Sequence, residues 1–213
     1  RMGKRGRHVI TTAVEHHAVL NPMRRLEEQG FEVTYLKPDA LGRVCLDALR
    51  EAIRPDTVLV SVMMVNNESG AVMPIGAMAN NEIGTIQPIS ELAAVAARHC
   101  VPFHTDAVQG FLKLPFQAKT LGADLISISS HKVHGPKGAG ALYIRRGLPL
   151  PPYLLGGGQE GGYRSGTEAT PAVAGFGAAC AAAQPTLRED LAREVALRDR
   201  CAALLAEIPG VEL

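Results

Sequence analysis

Two charged side chains stand where apolar runs give way to polar loops, which is where a fold most easily presents chemistry. Asp106, in FHTDAVQ, follows the apolar run 101–105, and Lys132, in SSHKVHGPKG, follows the run 124–129. Each has an ordinary alternative. Aspartate is favoured as a helix N-cap, with 107–110 as a first turn, and a lysine taken alone is most often a solvated surface residue. In a semi-enclosed site, however, a lysine can lose its proton and form a Schiff base with an aldehyde. Beside Lys132, the side chains of Ser129, Ser130 and His131 and the backbone N–H groups offer donors for a phosphate. A lysine for an aldehyde, a carboxylate for a ring nitrogen and donors for a phosphate are what pyridoxal 5'-phosphate requires. The carboxylate keeps the ring nitrogen protonated, so that the ring can take up electrons from the substrate's α-carbon.

These residues need elements to hold them. Strand patterns are predicted over 8–12, 31–36, 57–63, 101–105, 124–129 and 140–145. The run TVLVSVM at 57–63 is nearly continuous in apolar residues, as in a strand buried on both faces. Helices are predicted over 15–29, closed by Gly30, over 46–53, and over 91–99 with Ser90 as N-cap. From 171 onward the pattern is helical, with a break near Pro185. This alternation predicts an α/β fold, a mostly parallel sheet flanked by helices. In such sheets ligands gather at the carboxyl ends of the strands.

The 213 residues are 46% hydrophobic and 20% charged, enough to bury a core, and the net charge of +1 gives no electrostatic case for nucleic acid or a membrane surface. No apolar h-region follows the basic cluster Arg1, Lys4, Arg5 and Arg7, and no run of 18 apolar residues occurs. Cys45, Cys100, Cys180 and Cys201 are widely spaced without a C-x-x-C pair, which fits a reducing cytoplasm. Cys201 recurs with Leu197, Leu204 and Ile208 at helical spacing and reads as a core residue, as does Cys180 within AACAAA. The glycine-rich run 156–161 matches G-x-G-x-x-G, but it lacks a preceding strand, a following apolar helix and an acidic residue about 20 positions on. His131 with His134, and Cys100 with His104, lack the further ligands a metal site needs.

TTAVEHHAVL, NNEIGTIQPI, FHTDAVQ, SSHKVHGPKGAGALYIRR and GGGQEGGYRSGTE occur here in that order. In these motifs the chain closely resembles the cysteine desulfurases, in the class-V aminotransferase group of fold-type-I pyridoxal-phosphate enzymes, from about His8 to the end. The resemblance implies a large cofactor-binding domain over 1–170, incomplete at its amino end. Residues 171–213 would then be a helical connection and the start of a truncated small domain. It implies that Lys132 bonds the cofactor's aldehyde, Asp106 pairs with the ring nitrogen, His16 stacks on the ring and Gln109 reaches the phenolic oxygen. Ser129 and His131 would bind the phosphate, and Thr167 would reach the phosphate of a neighbouring subunit, which implies a homodimer. The implied reaction converts L-cysteine to L-alanine and passes sulfur to an enzyme persulfide. A sulfur-acceptor or scaffold protein would follow, for iron–sulfur cluster assembly or another sulfur-transfer pathway.

The chain also departs from the family pattern. Gly161 stands where members usually carry an arginine, and the loop with the nucleophilic cysteine is expected beyond these residues. None of the four cysteines carries the motif of that nucleophile. A related class-V aminotransferase or lyase would share Lys132 and Asp106 without the persulfide step, and a catalytically incomplete fragment is the other alternative.

One segment is written twice. Asn-Asn-Glu-x-Gly-x-x-x-Pro-Ile spans 66–75 and again 80–89. A single copy offset of this size is too short for a solenoid and reads as a tandem-copied loop. The resemblance implies one asparagine of this motif beside the ring oxygen. Asn67 keeps the family's distance to the strand before it, and Asn81 keeps the distance to Asp106. Because a strand end fixes a side chain better than the middle of a loop does, Asn67 is favoured, with Asn81 as the alternative.

Overall fold

The computed structural model describes residues 6–65 and 85–211. Six strands, β1 (His8–Thr12), β2 (Glu32–Leu36), β3 (Thr57–Ser61), β4 (Phe103–Asp106), β5 (Leu125–Ser129) and β6 (Gly140–Ile144), form one sheet in the order β2-β1-β3-β4-β5-β6. All neighbouring pairs are parallel except β5 with β6. The helices are α1 (His17–Glu28), α2 (Leu46–Ala52), α3 (Ile89–Arg98), α4 (Ala118–Leu121) and α5 (Thr170–Ala206). The chain moves one way from β1 to β2 and the other way from β3 to β5. A sheet that reverses in this manner opens a crevice at the carboxyl ends of the strands beside the reversal.

Alternating side chains send the two faces of the sheet into different cores. Val9 and Val58 pack with Val19 and Met23 of α1 on one face. Ile10, Val60 and Phe103 pack with Leu49 of α2 and with Leu92, Val95 and Ala96 of α3 on the other. Because both faces are covered, the strands read as apolar runs and hold their carboxyl ends rigidly.

The predicted strands are present, and four details differ. α1 begins at His17, leaving His16 as its N-cap: Ala18 N–H donates to His16 Nδ1 at 3.0 Å. α3 begins at Ile89 behind Pro88, not after Ser90. Burial of the Ile89 side chain draws the helix start back, and Leu92 N–H already donates to Pro88 O at 2.9 Å. α5 runs through Pro185 without ending there. A proline removes one helical hydrogen bond, and Leu187, Arg188 and Glu189 resume with good helix formers. Finally, Leu197, Cys201 and Leu204 share a helix face as their spacing predicts, while Ile208 lies past the end of α5; all four are exposed, and Cys180 is half-buried. Periodicity fixes the face of a helix, but burial needs an opposing element, and no described element covers this one. Phe176 is the buried residue of α5, set edge-on to Phe111 with ring centroids 6.0 Å apart. Among the described residues, no helix is long and apolar enough to cross a membrane.

Candidate active site

Four adjacent strands deliver polar residues to one end of the sheet. His16 follows β1, Met63 and Met64 follow β3, Asp106 ends β4, and Ser129 ends β5. The segment leading toward Asn67 and Asn81 also leaves from β3, but both asparagines lie outside the described residues.

Asp106 is fixed on three sides. It pairs with Ser127 in the sheet, its carbonyl accepts from Met64 N–H at 2.8 Å, and its Oδ1 accepts from Val108 N–H at 2.9 Å. Asp106 thus caps a turn and not a helix, since no helix follows it before α4, and among the described residues its other carboxylate oxygen makes no hydrogen bond. Burial raises the Asp106 pKa above the ordinary carboxylate value, while its backbone hydrogen bond and the nearby His16 pull it down. Among the described residues it has no salt bridge. A mostly buried carboxylate without a cation is a strong acceptor for a protonated ring nitrogen.

The chain after Asp106 folds into a tight turn in which Phe111 N–H donates to Ala107 O and Leu114 N–H to Gly110 O. Leu112 takes a positive φ of 53° there, uncommon for a residue other than glycine. The turn buries Gln109 and aims Lys113 back at it, with Lys113 Nζ donating to Gln109 Oε1 at 3.2 Å. Burial is the main cause lowering the Lys113 pKa; Glu194 opposes it and the ammonium of Lys132 adds to it.

β5 runs directly into a 3₁₀ turn, Ser130–Val133, that carries His131 and Lys132. Ser129 Oγ and His131 Nδ1 are hydrogen-bonded to each other at 2.8 Å, exposed beside the strand end. Gly135 makes this turn possible, because a Cβ there would collide with Ser130 Oγ. α5 then closes over the turn, with Gly175 so near Pro136 that a Cβ would stand 2.5 Å from its Cγ. Lys132 lines a cleft of about 400 Å³ with Lys113, His134, Asp190 and Glu194. His16 and Asp106 are not among the residues lining it. Thr167 is exposed on the loop before α5, and no described contact joins it to the other candidate residues.

Two buried groups went unrecognised in the sequence. Glu15, 2% exposed, accepts at one oxygen from both Thr12 Oγ1 (3.0 Å) and Met63 N–H (2.7 Å). Among the described residues its Oε2 has no partner, and burial, opposed by the two hydrogen bonds and reinforced by Asp106, drives its pKa up to about 8. His104, inside β4, bridges Ser61 Oγ (2.8 Å) and Ser127 Oγ (2.9 Å), and burial lowers its pKa to about 4. It is a neutral cross-strand link, which disposes of the pairing with Cys100 as a metal site.

The donor set fits pyridoxal phosphate. An amine, a buried carboxylate lacking a cation, a nearby imidazole and a Ser–His donor pair all issue from the same ends of the strands. Four buried polar atoms without partners are found among the described residues, on Thr11, Glu15, Thr105 and Ser130, all at or beside the carboxyl ends of β1, β4 and β5. Buried polar groups are normally satisfied, so such a concentration marks a place built for a polar ligand.

Known proteins share this fold. A family model described as Aminotransferase class-V matches residues 1–80 and 76–213, two stretches that overlap within the doubled segment. "Cysteine desulfurase IscS" of Methanosarcina thermophila is 46% identical over 209 residues, covering 98% of this chain and 48% of the relative. A solved "NifS-like protein" superposes with a TM-score of 0.84 at 40% identity, over 94% of this chain and 52% of the other. A structure titled "SspA in complex with cysteine" does so with a TM-score of 0.74 at 43% identity, over 91% and 54%. The chain spans about half the length of the curated relatives it matches. The fold is that of the fold-type-I pyridoxal-phosphate enzymes. Within that class, the chain belongs to the class-V aminotransferase family.

Proposed function

We propose that this chain is the cofactor-binding part of a cysteine desulfurase, which converts L-cysteine to L-alanine and transfers its sulfur to a cysteine thiol as a persulfide. The observation that carries the reading is Lys132 and Asp106 at the ends of neighbouring strands, with His16 near the carboxylate. It is supported by relatives of 46% and 50% identity named cysteine desulfurase, and by the complex with cysteine named above.

When bound, pyridoxal 5'-phosphate supplies an aldehyde for an amine and a ring that withdraws electrons from the substrate's α-carbon. Lys132 Nζ holds the cofactor and afterwards moves a proton at the α-carbon. The Asp106 carboxylate holds a proton on the ring nitrogen. His16, exposed at the start of α1, offers its imidazole face to the ring, and Gln109 offers a donor to the phenolic oxygen. Ser129 and His131 would bind the phosphate, and Asn67, or Asn81 in its place, is the residue proposed to serve the ring oxygen. Thr167 serves the partner's site in a homodimer. Residues 1–170 form the cofactor domain and 171–213 the connection to a small domain, in a cytoplasmic protein that hands sulfur to an acceptor or scaffold protein. None of the four cysteines here is assigned the persulfide: none carries the nucleophile's motif, and burial raises the pKa of Cys180, making its thiol less nucleophilic.

Incubating the full-length enzyme that contains this chain, loaded with cofactor, with L-cysteine and a reducing thiol tests this reading. Alanine and sulfide in equal amounts are expected. A keto acid without sulfide would contradict it and favour an aminotransferase.

A further inference from the structure

Lys113 is a half-buried cation that the roles above leave unused. It lies four residues after Gln109 on the turn that leaves β4, and the positive φ of Leu112 folds it back toward that glutamine. An ammonium can only donate, so the 3.2 Å contact fixes which end of the Gln109 amide faces Lys113: the oxygen. The amide nitrogen must then face the other way. Gln109 is only 7% exposed, and among the described residues no hydrogen bond from its nitrogen is found. A nearly buried donor has thus been oriented and left available. Without Lys113 the two ends of the amide differ little in energy, and either could face the site.

We propose that Lys113 is a positioning residue that holds Gln109 with its N–H₂ turned toward an acceptor oxygen of the bound cofactor. The inference rests on the cofactor reading above and extends it to a residue that touches neither substrate nor cofactor. Lys113 also lines the cleft shared with Lys132, so its charge is felt by the amine that bonds the cofactor. Glu194 and Asp190 of α5 face the same cleft, partly balance the two lysines and belong to the same electrostatic unit.

The test is a double-mutant cycle read by cofactor binding. Pyridoxal 5'-phosphate is titrated into the wild type, Lys113→Met, Lys113→Arg, Gln109→Ala and the double variant Lys113→Met/Gln109→Ala, following the visible absorbance band. Lys113→Met is expected to weaken binding roughly 3- to 10-fold, the worth of one misdirected hydrogen bond. Lys113→Arg, which keeps a cationic donor, should restore most of the affinity. In the Gln109→Ala background Lys113→Met should have no further effect, since its target is gone. A merely structural lysine would instead weaken both backgrounds equally, and that additivity overturns the proposal, as does unchanged affinity in Lys113→Met. Lys132→Ala distinguishes the two levels of the reading. A band that depends on Lys132 but ignores Lys113 overturns the positioning role alone, and a wild type with no such band overturns both.

Discussion

Replacing Glu15 with glutamine should change how the stability of this protein depends on pH, and the sign follows from the geometry. Both donors that reach Glu15, Thr12 Oγ1 and Met63 N–H, go to Oε1, while the buried Oε2 receives none. A carboxylate would leave a buried anionic oxygen unpaired there, whereas a neutral acid leaves only an uncharged hydroxyl, the smaller cost. Burial together with Asp106 outweighs the two hydrogen bonds and moves the pKa from 4.5 to about 8. In the unfolded chain the proton leaves near 4.5, whereas in the folded protein it stays until about 8. Stability is therefore fully present below 4.5 and declines as pH rises to about 8, by a factor of ten in the folding equilibrium per pH unit, or about 1.4 kcal/mol. Over the 3.5 units between 4.5 and about 8, the upper bound is about 5 kcal/mol, a large share of an ordinary domain's stability. Glu15→Gln keeps the shape and the acceptor and carries no proton to lose. Urea unfolding at pH 5, 6, 7 and 8 should show the variant gaining on the wild type by about 1.4 kcal/mol per unit. A constant penalty of about 1–3 kcal/mol for the buried amide N–H₂ would shift the whole curve without altering its slope. Parallel curves, or a variant that loses ground as pH rises, would refute a protonated Glu15.

Two further predictions concern the scaffold around the site. His104 has the opposite linkage: its folded pKa lies at about 4 against 6.5, so its contribution is complete above 6.5 and lost as pH falls toward 4. In His104→Gln that acid-side loss should shrink in the same unfolding series, and an unchanged acid limb would contradict the neutral bridge between Ser61 and Ser127. Gly135→Val would drive a branched side chain into Ser130 Oγ beneath the Lys132 turn. It should lower stability by about 1–3 kcal/mol and weaken cofactor binding more than an exposed Gly177→Ala does, measured by thermal unfolding and by absorbance. Equal effects would show that the turn does not depend on that close approach.

What the sequence made legible was local. β1 coincides with the run 8–12, and Asp106 and Lys132 lie at the strand ends where the apolar runs put them. What it hid was set by partners far along the chain. Glu15 looks like an ordinary acidic residue at a helix start, and it is buried only because Met63, 48 residues later, brings an N–H to it. His104 looks like a polar interruption in β4 until Ser61 and Ser127 close on it across two neighbouring strands. The link from Lys113 to Gln109 spans four residues and was within reach of inspection. It depends, however, on the Leu112 turn, and a positive φ at leucine has no sequence signature. The exposure of Cys201 and its companions is the converse case: the spacing gave a correct face and no information about what covers it.

The central claim is that the carboxyl ends of β1, β4 and β5 form a pyridoxal-phosphate site anchored on Lys132. The most direct measurement is titration of the purified protein with pyridoxal 5'-phosphate, monitored by visible absorbance, alongside Lys132→Ala. A saturable band is expected in the wild type, which borohydride bleaches as it fixes the cofactor covalently to Lys132, found by peptide mass, and no such band in the variant. A band of equal strength in Lys132→Ala, or reduction that labels a different lysine, would contradict it.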